Sequence, residues 1–178
     1  VAYGSRRGRI RVDPASFESI YREHHPSVWR LLRCMGVPPA MVDDATQECF
    51  LVVYRRIDEV DRSRSLRPWI YAIARRIAWR SMRTTTTQAR LLERVVDDAR
   101  VVRPDETAEH RELLEQIAAV LDAMPFEQRE VFVLTEFEDM SAPEIAALVG
   151  APLPTVYSRL RLARARFQRL QPSAREAS

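Results

Sequence analysis

Arg76, Trp79, Arg80 and Arg83 recur at helical spacing in the first half of the chain. Guanidinium groups meet phosphates and an indole stacks on an unpaired base, so arginine interleaved with tryptophan suits a nucleic-acid strand. The alternative is a Trp79 packed on a neighbouring helix, with the arginines in solvent. A second set lies near the C-terminus, where Ser158, Arg161, Ala165 and Arg169 share one side of a helix flanked by Tyr157 and Arg164. Before it come an S-x-x-E capping box at Ser141–Glu144 and a short turn over 149–153. These are helix-turn-helix dimensions, in which the start of the second helix reads base edges and later arginines hold phosphates. A third set, Asp44, Gln47, Glu48, Leu51 and Arg55, shares the polar side of another helix. A leucine inside a polar ring suggests a protein contact, although single exposed leucines are common on solvated faces.

Catalytic constellations are missing from the pattern. His24, His25 and His110 make no metal-ligand spacing with Cys34 and Cys49. No G-x-S-x-G, P-loop or G-x-G-x-x-G occurs. The pairs Asp43-Asp44 and Asp97-Asp98 read as solvated or partner-facing. Neither catalytic activity, a metal nor a cofactor is therefore expected.

Helices must position these sets, because apolar residues recur at helical spacing nearly throughout and only four glycines occur. The first helix starts at Asp13-Pro14 with a stripe of Phe17, Ile20, Tyr21, His24, Val28, Leu31, Leu32 and Met35, and Gly36 to Pro39 stop it. A second helix covers 40–57 on Val42, Ala45, Cys49, Val53 and Ile57, and a third covers 66–83 on Leu66, Trp69, Ile70, Ile73 and Ile77. The run Thr84 to Thr87 reads as a boundary, followed by a linker over 87–108. Four more helices are expected over 109–124, 126–137, 141–150 and 154–170, the last buried through Val156, Leu160, Ala163, Phe167 and Leu170. The fold class is all-α, with two small helical domains over 13–86 and 109–171. A basic tail precedes them over 1–12 and a short tail follows over 172–178.

The 178 residues include 28 arginines and no lysine, for a net charge of +3. That sum hides blocks of +7 over 1–87, −2 over 88–110, −7 over 111–150 and +5 over 151–178. Basic blocks attract polyanions, and the local field matters more than the total. No run approaches the ~18 apolar residues of a membrane span. The basic N-terminus has no apolar segment behind it, so no secretory signal is expected. With no disulfide framework from two cysteines, a cytoplasmic setting fits.

Together these residues resemble a bacterial RNA polymerase sigma factor of the extracytoplasmic function group, in the sigma-70 family. Asp43-Asp44-Ala45-Thr46-Gln47-Glu48-Cys49-Phe50 and Arg67-Pro68-Trp69-Ile70-Tyr71-Ala72-Ile73-Ala74-Arg75 look like region 2. Leu121-Asp122-Ala123-Met124-Pro125, Gln128 to Phe132, Ser141, Glu144-Ile145-Ala146, Gly150, Thr155-Val156 and Ser158-Arg159-Leu160 look like region 4. The resemblance implies a promoter-specificity subunit of core polymerase. Asp44, Gln47, Glu48, Leu51 and Arg55 would meet the beta-prime clamp helices. The loop from Val60 to Leu66, with Asp61, Arg62, Ser63 and Arg64, would hold a flipped base of the minus-ten element. Arg76, Trp79, Arg80 and Arg83 would guide the opened strand. Thr155, Tyr157, Ser158, Arg159, Arg161 and Arg164 would sit at the minus-thirty-five duplex, and region 4 would dock on the beta flap. An anti-sigma factor is the expected regulator, and no further domain is expected after region 4.

The chain departs from the family at several of these positions. Asn is usual where Arg76 stands, Asp where Arg80 stands, Gly where Pro154 stands, and a basic residue where Tyr157 and Leu162 stand. No consensus promoter carries over. A stand-alone helix-turn-helix regulator is the competing reading, and a helical metal-dependent enzyme is a third.

Overall fold

The computed structural model describes residues 14–61, 65–89 and 117–170. Helices α1 (Pro14–Cys34), α2 (Pro39–Arg56) and α3 (Arg67–Ala89) pack on one another, with a 3-10 turn at Ile57–Glu59 after α2. Helical residues 117–122 (α4) precede α5 (Phe126–Glu136), α6 (Ala142–Val149) and α7 (Leu153–Leu170), and these last three form a second group. No strand occurs among the described residues.

Local chemistry accounts for the boundaries. Pro14, Pro39 and Pro154 each stand in a first helical turn, where a missing N–H costs nothing. Gly36 takes φ 96° at the end of α1, and the Val37 amide reaches back to the Leu32 carbonyl at 3.1 Å. Helix α6 has the predicted box: the Ser141 amide donates to Glu144 Oε2 at 2.8 Å and its hydroxyl at 2.6 Å. Gly150 ends that helix in the left-handed region at φ 70°.

One expectation about boundaries changes. α1 runs through Pro26 to Cys34 as expected, but α3 continues through Thr84 to Thr87 as far as Ala89. Threonine costs a helix only a few tenths of a kcal/mol per residue, less than an established turn-by-turn ladder can absorb. The linker expected over 87–108 lies outside the described residues, apart from 87–89 at the end of α3.

The buried stripes follow the sequence. Val28, Leu31, Leu32 and Met35 of α1, Val42, Cys49, Val53 and Ile57 beside α2, and Ile70, Ile73 and Ile77 of α3 are all buried. Val156, Leu160 and Ala163 of α7 close on Val131, Val133 and Leu134 of α5 as the second core. A fully buried side chain of this size contributes about 1.5–3 kcal/mol. Burial pushes the Cys34 thiol up to about 11 and the Cys49 thiol up to about 12. The apolar contacts run on from one helical group to the other, so the two halves meet directly.

Candidate nucleic-acid and protein interfaces

The outward face of α2 is where the sequence placed it. Asp44, Gln47 and Arg55 are exposed, Glu48 is half-buried, and Leu51 is 47% exposed. The apolar surface is wider than one leucine. Met41, Tyr54 and Tyr21 are also exposed. Phe17, Tyr21, His25, Phe50, Leu51 and Tyr54 line a shallow groove between α1 and α2. Its rings brace one another, with Phe17 edge-on to Tyr54 at 5.0 Å and Tyr21 4.7 Å from both His25 and Phe50. Sequence reasoning assigned Tyr21 to the core stripe and passed over Tyr54 and Met41. The available signal was an α2 whose apolar residues exceed one face.

On α3, Arg76, Arg80 and Arg83 are exposed. Trp79 is 39% exposed, with its ring tilted 60° against Phe126 of α5 at 4.8 Å. One portion of Trp79 thus packs on a neighbouring helix, as the alternative reading expects, and another remains open. Arg80 pairs with Glu48, which ties the strand-facing candidates to the α2 face. Beside them, Arg56, Glu59, Val60, Asp61, Ser65, Pro68 and Trp69 border an open depression where α2 hands over to α3. Asp61 lies at its rim, whereas Arg62, Ser63 and Arg64 lie outside the described residues.

The helix-turn-helix geometry is present in α6, the turn at Gly150–Pro152 and α7. Tyr157, Ser158, Arg161 and Arg164 are exposed along α7, and Thr155 is half-buried. Tyr157, at 56%, is the most exposed large apolar side chain described. Arg164 pairs with Glu136 of α5 at 2.7 Å. Arg159 turns away from this face and lies 3.7 Å from the fully buried Glu130.

A polar seam between the halves was not anticipated from sequence. Arg75 forks onto Glu130, at 2.5 Å from Nε to Oε2 and 3.3 Å from Nη2 to Oε1. Arg67 donates to the Glu138 carbonyl and, at 3.2 Å, to its carboxylate, which also accepts the Tyr71 hydroxyl. Arg33 of α1 lies 3.6 Å from Asp122, which also receives Arg129 at 2.9 Å. Arg129 is itself buried, and its guanidinium fills the space over Gly36 that a Cβ would need. Burial raises the Glu130 carboxyl pKa against the opposing pull of Arg75 and Arg159. Burial likewise lowers that of Arg129, and it raises Tyr71 together with the bond to Glu138.

Among the described residues, no cluster of His, Cys, Asp or Glu could hold a metal ion. No helix there is long and apolar enough to cross a membrane.

Comparison with known proteins matches these parts in order. Residues 20–87 match the family model of Sigma-70 region 2, and residues 114–167 match that of Sigma-70, region 4. The chain is 30% identical to the RNA polymerase sigma factor NccH of Alcaligenes xylosoxydans xylosoxydans, over 91% of this chain and 90% of that one. A solved structure of CnrH in complex with the cytosolic domain of CnrY superposes with a TM-score of 0.68 at 26% identity, covering 89% of each chain. The sigma factor RpoE of Bartonella quintana, solved with the anti-sigma factor NepR, shares the fold at a TM-score of 0.72 and 20% identity, over 89% of this chain and 98% of that one.

Proposed function

Because the chain belongs to the sigma-70 family of RNA polymerase sigma factors, in its extracytoplasmic function group, we propose that its three surfaces divide promoter-directed initiation between them. The protein is a transcription initiation factor, and the phosphodiester chemistry belongs to core polymerase. The α2 face of Asp44, Gln47, Glu48, Leu51 and Arg55 binds the beta-prime clamp helices, with the aromatic groove beside Leu51 extending the contact. The depression around Val60, Asp61 and Trp69 takes a base extruded from the minus-ten element. Extrusion costs a few kcal/mol, which contacts in a snug pocket offset. Arg76, Trp79, Arg80 and Arg83 then track the opened strand. On α7, Tyr157, Ser158 and Arg161 meet base edges of the minus-thirty-five duplex, Arg164 and Thr155 hold its backbone, and α5 and α6 support it against the beta flap.

The observation that carries this reading is the α6–turn–α7 unit, whose exposed α7 face holds arginines and a tyrosine and has no acid anywhere over 153–170. We assign the domain limits 13–86 and 109–171 to the two working parts. The setting is the cytoplasm, where the polymerase works. Regulation falls to an anti-sigma protein, for which the α2 face is our candidate site; the sigma factor RpoE of Bartonella quintana, solved with the anti-sigma factor NepR, supports a partner of that kind. Run-off transcription with core polymerase on genomic fragments is the test. Discrete start sites that appear only with the protein are the expected result. A protein that binds duplex but never core enzyme would make it a stand-alone regulator.

A further inference from the structure

Three of the nine large apolar side chains exposed among the described residues stand on α7: Leu153, Tyr157 and Leu162. None belongs to the core stripe, which Val156, Leu160 and Ala163 form around the other side of the helix. At about 100° per residue, Tyr157 and Leu162 bracket Ser158 and Arg161 on the outward face. We propose that Tyr157 and Leu162 each read a thymine in the promoter duplex by covering its C5-methyl group in the major groove, which rests on the duplex-reading role given above to α7.

Charge and apolar chemistry together point to that ligand. Residues 153–170 hold five arginines and no acid, so the face attracts a polyanion. Apolar side chains gain nothing from phosphate oxygens. Base edges in the major groove present donors and acceptors, and the thymine methyl is the apolar group among them. A cationic face with protruding apolar side chains is therefore matched by a duplex that carries thymines. Tyr157 and Leu162 stand five residues apart. That is about 7.5 Å along the helix axis at a rise of about 1.5 Å per residue. A base-pair step is about 3.4 Å, so the two side chains reach different base pairs.

The polar groups nearby leave part of the reading to apolar contact. Arg159 lies 3.7 Å from Glu130, and Arg164 is paired with Glu136 at 2.7 Å. The Ser158 hydroxyl donates to the Thr155 carbonyl at 3.0 Å, which uses its one hydrogen. Two guanidinium groups and one hydroxyl hydrogen near the start of α7 are thus committed within the chain. Leu153, one turn before Tyr157, widens the apolar surface on that side.

Selection from duplex pools tests it. The full chain, by itself and with core polymerase, selects from randomised DNA duplexes amplified with either thymidine or deoxyuridine triphosphate. Deoxyuridine keeps every base-pairing group and lacks only the methyl. The thymine pool should yield a motif with a fixed thymine at two base pairs, and the uracil pool should lose preference at both. In titrations of a selected duplex, uracil at either position should weaken binding about fourfold, the contribution of one buried methyl group. Tyr157→Ala should abolish that sensitivity at one base pair and Leu162→Ala at the other. Both side chains are exposed, so neither variant opens a cavity in the core. The same motif from both pools overturns the proposal, and this result does not depend on any variant folding. Sensitivity that survives in both variants overturns it too, as does failure to enrich any duplex. Run-off transcription reports the sigma reading separately. A thymine-dependent motif without start sites would sink that reading and leave this one standing, and start sites with a motif indifferent to the methyl would do the reverse.

Discussion

Helices α2 and α3 lie side by side in one bundle, yet their outer faces are built to opposite plans. On α2, Leu51, Tyr54 and Met41 stand exposed among Asp44, Gln47 and Arg55. On α3, the row from Arg67 to Trp79 is engaged by residues far along the chain. An apolar surface left in water is consistent with a partner from outside, whereas a charged row already matched by carboxylates is satisfied within the chain. One domain therefore carries one face open to a partner and another engaged by the chain itself.

The comparison breaks most sharply at Leu51. Leu51→Asp puts a carboxylate where an apolar side chain is to be buried, and should weaken core polymerase binding by about 3 kcal/mol, more than a hundredfold. Thermal unfolding should stay unchanged, because the side chain is exposed in the free protein. Normal polymerase affinity by equilibrium titration would make the α2 face a solvated surface like any other. Arg161→Ala should cost about 1–3 kcal/mol in binding promoter duplex, with relaxed preference at one base pair. Equal loss on all sequences in a mobility-shift series would reassign it to a phosphate.

Trp79→Ala sharpens the α3 side, because the residue is both packed and open. Loss of one stacked base is worth about 1–3 kcal/mol, so open-complex formation should slow roughly tenfold while initial duplex binding holds. A changed melting temperature with normal opening, read by permanganate footprinting, would assign the ring to Phe126 alone. The smallest effect falls outside both faces. Ser141→Ala removes half of the capping box and should lower stability by about 1 kcal/mol in urea unfolding. The Ser141 bonds hold the Glu144 carboxyl below its ordinary range. Its contribution is therefore full above the ordinary glutamate range and fades as pH falls through the lowered value. Ser141→Ala should flatten that part of the stability curve, measured by thermal melts from pH 6 downward.

The bundle helices were legible because their buried stripes repeat at short range. Val42, Ala45, Cys49, Val53 and Ile57 could be read off a wheel, and so could Ser141 with Glu144. The exposed leucine of α2 was visible for the same reason. The seam was not, because its partners stand 55 to 71 residues apart. Arg67 and Arg75 look like solvated arginines until Glu138 and Glu130 are brought to them by folding. Arg159 shows the same limit, since a position at the start of a reading helix turns inward once Glu130 is buried beneath it. Continuation of α3 through four threonines was illegible because propensity is weak beside a helix already under way.

Cys34 and Cys49 carry a last consequence. A thiol held at about 11 or about 12 has almost no thiolate at neutral pH, and thiolate is the species that peroxides attack. Both are buried in the core, beyond reach of a resolving partner. The chain is thus chemically deaf to oxidative stress at its two thiols. A thiol-based response to such stress has to reach it as a change in what sits on its surface.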